Sequence, residues 1–265
     1  MRVFVEGVGL CGPGLGGWEA SRALLAGNAP FQSGPTVVTV SELLPAAERR
    51  RAGMPVKLSL AAGGEALAAA ARDAAKTATV FASSSGDCDN VHHMLEALAT
   101  PARQISPTRF HNSVHNAAAG YWSIANQCRA PSTSLAGLDA SFAAGLLEAA
   151  CHVAGNGAAV TLIAYDHPYP EPLHAVRTIL AAFGVALVLA PGATDHSIAT
   201  LDIEFVAREA VATRVAVPGL EALRIGVPAA RSLPLLTVLA RGSPGTVVLE
   251  FVAGTHLRVV VAPCA

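Results

Sequence analysis

The chain has 265 residues, of which 52% are hydrophobic and 14% charged, and its formal net charge is −1. A near-neutral chain lacks the positive surface that attracts nucleic acids and anionic membranes, so neither is an expected partner. So few charges favour a large core, a sheet buried on both faces and a sizeable apolar interface with another protein. The apolar runs are shorter than the roughly 18 residues of a membrane span, so none is expected.

The first residues and the cysteines favour a cytoplasmic protein. Residues 1–6 read as a strand with an early charge, and no signal-peptide apolar region follows them. The odd number of cysteines and the lack of any CxxC pair favour reduced thiols. They are Cys11, Cys88, Cys128, Cys151 and Cys264.

Short apolar strands alternate with amphipathic helices along the chain. Strands are predicted at 2–7, 79–82, 134–138, 158–164, 185–189, 198–206, 246–251 and 257–261. Helices are predicted at 18–25, 58–75, 91–99, 117–126 and 140–154. This alternation predicts an α/β fold with a mixed or parallel sheet between helical layers. No low-complexity linker interrupts it, so a single domain over 1–265 is expected.

A GxGxxG pattern at 7–12 follows the first predicted strand. It is typical of dinucleotide sites only where a helix begins at the pyrophosphate. Pro13 and Gly14 come directly after it, so no helix can start there. The pattern therefore predicts a tight loop between strand and helix, with no cofactor.

Two polar stretches could suggest hydrolytic chemistry. Residues 83–87 read Ser-Ser-Ser-Gly-Asp without GxSxG spacing, which favours a polar turn and cap leading into the helix at Val91. Asp166 and His167 are adjacent in a stretch, 165–172, that its prolines must make irregular. Adjacent residues rarely face each other, so this pair predicts a surface or interface loop.

The nine histidines give no metal-ligand spacing, since neither HExxH nor a Cys/His cluster is present. His111 and His115 are four residues apart and could share a helical face. Buried hydrogen bonds of His115 and Asn116 in a dimer interface are the preferred interpretation, and no metal site is predicted.

One continuous run, from Ile105 to Phe142, resembles the segment that leads into the nucleophile of β-ketoacyl synthases. That family shows a Ser-Pro start, an Asn, a small-small-Gly turn, an Arg-Gly-Pro-Ser turn, an apolar strand and then Thr-Ala-Cys. The matching positions here are Ser106-Pro107, Asn116, Ala118-Ala119-Gly120, 129–132 and the strand 133–138. Residues 3–27, 229–240 and 245–261, with its turn at 253–256, resemble the family's opening strand and helix, last long helix and closing hairpin.

The resemblance implies a thiolase-like layered α/β fold, truncated in its second half. Residues 1–190 would be the part similar to the ketosynthase N-terminal region, and 191–265 a reduced C-terminal part. The short length and the sequence around SVHNAAAGYWSIA resemble chain-length-factor-like homologues of aryl polyene and related polyketide pathways.

The nucleophile position falls on Asp139, where a carboxylate cannot do the work of a thiolate. The family's His-Gly-Thr motif is absent as well, since Gly follows no His in this chain. No catalytic residue is therefore predicted. Asp139 is expected to cap the helix that begins at Ala140; the alternative is a carboxylate that binds a carrier-borne group or an ordered water.

The resemblance thus implies a catalytically inactive subunit that pairs with an active ketosynthase and meets an acyl carrier protein through that complex. The segment that would cross into the partner and gate its acyl tunnel comprises Thr108, Arg109, Phe110, His111, Ser113, Val114, His115 and Asn116. A homodimer is possible when the chain is alone, and a purely structural homodimer is a third hypothesis. The rival hypothesis is a small acyltransferase or thioester hydrolase that uses Asp139, Cys128 or a His in a new arrangement.

Overall fold

The structure, a computed structural model, describes residues 1–38, 42–206, 210–251 and 254–264. Ala253, the first residue of the predicted hairpin turn, lies outside the described residues. None of the described helices combines the length with the apolar run that crossing a bilayer would need.

Strands and helices alternate as the sequence predicts. The strands are β1 Arg2–Cys11, β2 Ala78–Ala82, β3 Ser132–Leu135, β4 Val160–Asp166, β5 Phe183–Ala190, β6 Ala199–Val206, β7 Gly245–Glu250 and β8 His256–Pro263. The helices are α1 Trp18–Leu25, α2 Ala46–Arg51, α3 Met54–Ala69, α4 Cys88–Ala99, α5 Pro107–Ser113, α6 Ala117–Asn126, α7 Ser141–Asn156, α8 Leu173–Val176, α9 Pro218–Gly226 and α10 Leu233–Arg241. Two 3-10 turns, Leu138–Ala140 and Pro228–Ser232, precede α7 and α10.

The described strands form one mixed sheet of eight, in the order β3-β2-β4-β5-β1-β6-β8-β7. β2 is parallel to both of its neighbours, β3 and β4. Every other neighbouring pair is antiparallel. The fold is thus the α/β class that the sequence predicts.

Helices cover both faces of the central strands, as the apolar composition requires. On one face, residues of α1, α7 and α10 such as Trp18, Phe142 and Leu236 pack on the sheet. On the other, α3 and α6 build a second core around Leu58 and Trp122. The central strands therefore read as continuous apolar runs.

β1 continues through most of the GxGxxG pattern, so the predicted loop is wrong. A Cβ on Gly7 would lie 2.1 Å from the carbonyl oxygen of Ala66, and one on Gly9 would lie 1.9 Å from that of Ala62. These two glycines let α3 pack directly on the strand. Their role is close packing between helix and sheet.

The two edges of the sheet differ. At the β7 edge, the amide of Thr213 donates to the carbonyl of Val248 at 2.9 Å, and the amide of Val248 donates to the Thr213 hydroxyl at 2.8 Å. At the β3 edge, no other described strand pairs with the outer side. The backbone of β3 is therefore open to a further strand.

Candidate functional site

Asp139 lies in the 3-10 turn between β3 and α7, and its side chain is half exposed. Leu138 has a left-handed φ of 51°, which ends the extended run before it and starts the turn. Because of this turn, α7 begins only at Ser141. Its N-cap residue is Ala140, which makes no side-chain cap hydrogen bond. The predicted cap by Asp139 is therefore wrong, as is the extension of the preceding strand to 138.

Two arginines hold the Asp139 carboxylate instead. Nη2 of Arg177 donates to one carboxylate oxygen at 2.7 Å, and Nη2 of Arg231 lies 3.4 Å from the other. Arg231 also pairs with Glu250 at the end of β7. Burial lowers the pKa of Arg177, but its hydrogen bonds to Tyr169 and Asp139 outweigh burial and raise the pKa above its ordinary value. Positive and negative side chains thus alternate around Asp139, and its carboxylate is an ion-pair partner.

A second aspartate, Asp166, is fully buried at the end of β4, and the His167 that follows it is also buried, so the predicted surface loop is wrong for both residues. One oxygen accepts from the amide of Ser84 at 2.8 Å, its hydroxyl at 2.6 Å and the Ser83 hydroxyl at 3.3 Å. The other oxygen accepts from the amide of Ala229 at 2.9 Å. Burial raises the pKa of Asp166 to about 6, although these hydrogen bonds oppose it. Asp166 thereby ties β4 to the end of β2 and to the turn before α10.

The polar turn after β2 behaves as predicted. Asp87 is the N-cap of α4, where its side chain accepts from the amide of Asn90 at 3.1 Å. His115 lies beside this turn, with Nε2 3.0 Å from the carbonyl oxygen of Ser83. The turn is therefore a structural junction between β2, α4 and the segment around His115.

The predicted crossing segment consists of α5 and the residues after it. α5 ends at Ser113, so His111 and His115 do not share a helix face. Asn112 anchors the segment: its side-chain amide donates to the Arg51 carbonyl at 2.9 Å and its oxygen accepts from Tyr121 at 3.0 Å.

All eight residues predicted to gate a partner have some exposed surface. The half-buried ones are Thr108, Arg109, Ser113 and His115. The exposed ones are Phe110, His111, Val114 and Asn116. The side chains of Phe110 and Val114 are large apolar groups that face solvent in the single chain. The interface role of this segment stays a prediction.

An apolar pocket of about 330 Å³ lies between α4 and the proline-rich loop after β4. Val91 and Leu95 form one wall, and Pro170 and Leu173 form the other. Cys88 also lines it, and burial raises the pKa of its thiol. The thiol is therefore protonated at neutral pH and unsuited to nucleophilic attack.

Sequence spacing missed one cluster of potential metal ligands. Asp87, Asp89 and His167 each place one ligand atom within 4.8 Å of the others. The two aspartates stand at the start of α4, whereas His167 follows β4. Only the parallel pairing of β2 with β4 brings them together, so no short motif could reveal them.

A family model for the N-terminal domain of β-ketoacyl synthases matches residues 18–218. Among solved structures, a chain of the ketosynthase in complex with its chain length factor from Xenorhabdus doucetiae is 22% identical, with a TM-score of 0.74 over 98% of this chain and 99% of that chain.

Two further solved structures are similar in fold. A chain of the ishigamide ketosynthase/chain length factor is 18% identical, with a TM-score of 0.73 over 100% of this chain and 99% of that chain. A β-ketoacyl synthase from Burkholderia phymatum is 13% identical, with a TM-score of 0.71 and full coverage of both chains. At these identities the likeness shows the fold, which is the ketosynthase-like fold that the sequence predicts. A search of the curated proteins finds no match.

Proposed function

This chain belongs to the β-ketoacyl synthase family, and from that premise we propose that it is a chain length factor: a catalytically inactive subunit that pairs with an active ketosynthase. The pair would extend an acyl chain on an acyl carrier protein in an aryl polyene or related polyketide pathway. The solved complexes of ketosynthases with chain length factors that share this fold support the pairing.

The observation that carries the proposal is the state of Asp139. A ketosynthase needs a thiolate at this position, activated at a helix start. Here a carboxylate is bound by Arg177 at 2.7 Å and faces Arg231 at 3.4 Å. None of its contacts within the described chain is to a histidine. In this proposal an ion-pair network takes the place of the nucleophile and of its imidazole partners.

The open β3 edge supports pairing with another subunit. A strand can add to an exposed edge through backbone hydrogen bonds, while the flanking side chains give specificity. An open groove of about 520 Å³ lies against this edge, between Ser132 and Ser134 of β3 and Gly120 and Ser123 of α6. His115 lines the same groove, so it continues into the predicted crossing segment.

Phe110 is the side chain best placed to limit a partner's product. It is 60% exposed, while Asn112 on the same helix is buried and anchored by hydrogen bonds on two sides. A fixed helix that presents a large apolar ring fits the end wall of a tunnel. Since overfilling a packed cavity costs about 1–3 kcal/mol, the ring's volume would set which chain lengths fit.

The first test is incubation of the isolated chain with acyl-carrier and acyl-CoA substrates, followed by peptide mass spectrometry. We expect no covalent adduct on residues 139–142. A stoichiometric acyl adduct there would favour the rival hypothesis of an acyltransferase or thioester hydrolase.

The second test reconstitutes the chain with a ketosynthase that carries an intact Cys-His-His site, and records the product masses. Phe110→Ala and Ser113→Gly should lengthen the products, whereas Ser113→Phe should shorten them or block synthesis. Each buried methylene contributes about 0.8 kcal/mol, enough to shift a product distribution.

Val176→Ala is the matched control for this test. Val176 is 85% exposed on α8, outside the crossing segment, so its truncation should leave the product masses unchanged. If all three variants of the crossing segment kept the wild-type profile in an intact complex, the chain-length role would be excluded and only a scaffolding role would stand.

A further inference from the structure

His167 is a buried imidazole with an unmet hydrogen-bonding requirement. It is 3% exposed, and its Nε2 has no hydrogen-bond partner in the described structure. Its Nδ1 lies 3.9 Å from Oδ2 of Asp89, which is too far for a hydrogen bond. A buried polar group left in this state destabilises the fold unless another partner satisfies it.

Two carboxylates stand beside this ring, and together the three groups form a mixed nitrogen and oxygen ligand set. The ligand atoms of Asp87, Asp89 and His167 all lie within 4.8 Å of one another. Ligand atoms around a tetrahedral zinc ion are about 3.3 Å apart, given bond lengths of about 2.0–2.2 Å. Asp89 is half exposed, so a small movement of its side chain would close the set.

The charges and remaining lone pairs of the cluster also fit a divalent cation. Two carboxylates balance the two positive charges, and a neutral imidazole completes the set. The Asp87 carboxylate already accepts from the amide and side chain of Asn90, at 3.1 and 2.7 Å, and each oxygen keeps a lone pair. The exposed side of Asp89 leaves room for a water as fourth ligand.

We propose that Asp87, Asp89 and His167 form a zinc site that fastens the start of α4 to the loop after β4. These two segments are the opposite walls of the apolar pocket, since Val91 follows Asp89 and Pro170 follows His167. The ion acts as a structural clasp: it binds Nδ1 of His167, the nitrogen that faces Asp89, and fixes the width of the pocket. This inference does not depend on the proposed chain-length role.

The test uses the full chain stripped of metal and titrated with Zn²⁺ alone by isothermal calorimetry, with thermal unfolding recorded in parallel. We expect one equivalent of zinc to bind and to raise the unfolding temperature, because a ligand specific to the folded state stabilises it. Asp89→Asn should weaken binding at least about tenfold and remove the thermal shift, since the site loses a charged ligand.

His93→Gln is the control for surface histidines. His93 lies on α4 with its imidazole 2.9 Å from Glu96, outside the cluster. Zinc binding should survive this change. His167→Gln tests the buried ligand, and Asp89→Asn gives the answer if that variant does not fold. Absence of saturable binding, binding that survives Asp89→Asn, or binding lost equally in His93→Gln would overturn the zinc site.

Discussion

Asp139 follows β3 and Asp166 ends β4, the two strands that flank β2, and the two carboxylates are held in different ways. The Asp139 side chain is half exposed and lies between two guanidinium groups. Asp166 is fully buried and accepts hydrogen bonds from hydroxyls and backbone amides. Asp139 is therefore the weakly held aspartate, and Asp166 joins three parts of the fold.

The difference shows that a residue singled out by a family resemblance need not contribute most to the stability of the fold. An exposed ion pair contributes about 0–1 kcal/mol, because water screens it and long side chains lose freedom. A hydrogen bond to a buried charged group contributes about 1.5–3 kcal/mol. Substitutions at the two sites should thus separate clearly in stability.

The largest effect is expected for Asp166→Ala. The change leaves the half-buried amide of Ser84 and the buried amide of Ala229 without an acceptor, so the free energy of unfolding should fall by about 3 kcal/mol or more. Urea denaturation of the variant and of Asp139→Ala, which should lose less than about 1 kcal/mol, measures the contrast. An Asp139→Ala variant at least as unstable as Asp166→Ala would reverse the comparison.

An intermediate effect is expected for Ser84→Ala. This variant removes the 2.6 Å hydrogen bond from the Ser84 hydroxyl to Asp166 and keeps the hydrogen bond from the Ser84 backbone amide. The free energy of unfolding should therefore fall by about 1.5 kcal/mol. Its neighbour supplies a matched control: the buried Ser85 hydroxyl has no partner, and Ser85→Ala should change stability little. Equal losses in the two variants would show that the hydroxyl of Ser84 is not what holds Asp166.

The smallest effect is expected for Asp139→Asn. The amide oxygen can still accept from Arg177, so stability should change by less than about 1 kcal/mol. Product formation by the reconstituted pair should stay near the wild-type level. Loss of product from a folded, intact complex would give the carboxylate a chemical role that the ion pairs do not explain.

The sequence predicted helices best where the periodic apolar pattern and the residues that start and stop a helix indicate the same bounds. The helices at 18–25 and 117–126 have the predicted bounds. The helix predicted at 58–75 runs instead over Met54–Ala69, because a proline at its first turn starts it early. The short helices α2, α5, α8 and α9 were not predicted, since four to nine residues carry little periodic signal.

The candidate site was harder to predict, because the residues that meet there are far apart in the sequence. Arg177 and Arg231 follow Asp139 by 38 and 92 residues, so nothing local indicates that they pair with it. The prolines after Asp166 correctly indicated irregular backbone but concealed that the two residues before them are buried. Pairing of β2 with β4 supplies the Asp166 contacts, and that pairing is a property of the whole sheet.

The bare β3 edge has a consequence for gene dosage. Contact between open strand edges is a common route to aggregation. A subunit with such an edge therefore aggregates least when its partner is produced in matching amounts. The strand is only four residues long and reads Ser-Thr-Ser-Leu, which limits how firmly an unrelated strand could add to it. The short, polar edge therefore limits aggregation of a copy that lacks the proposed partner, while the β7 edge is already hydrogen-bonded within its own chain.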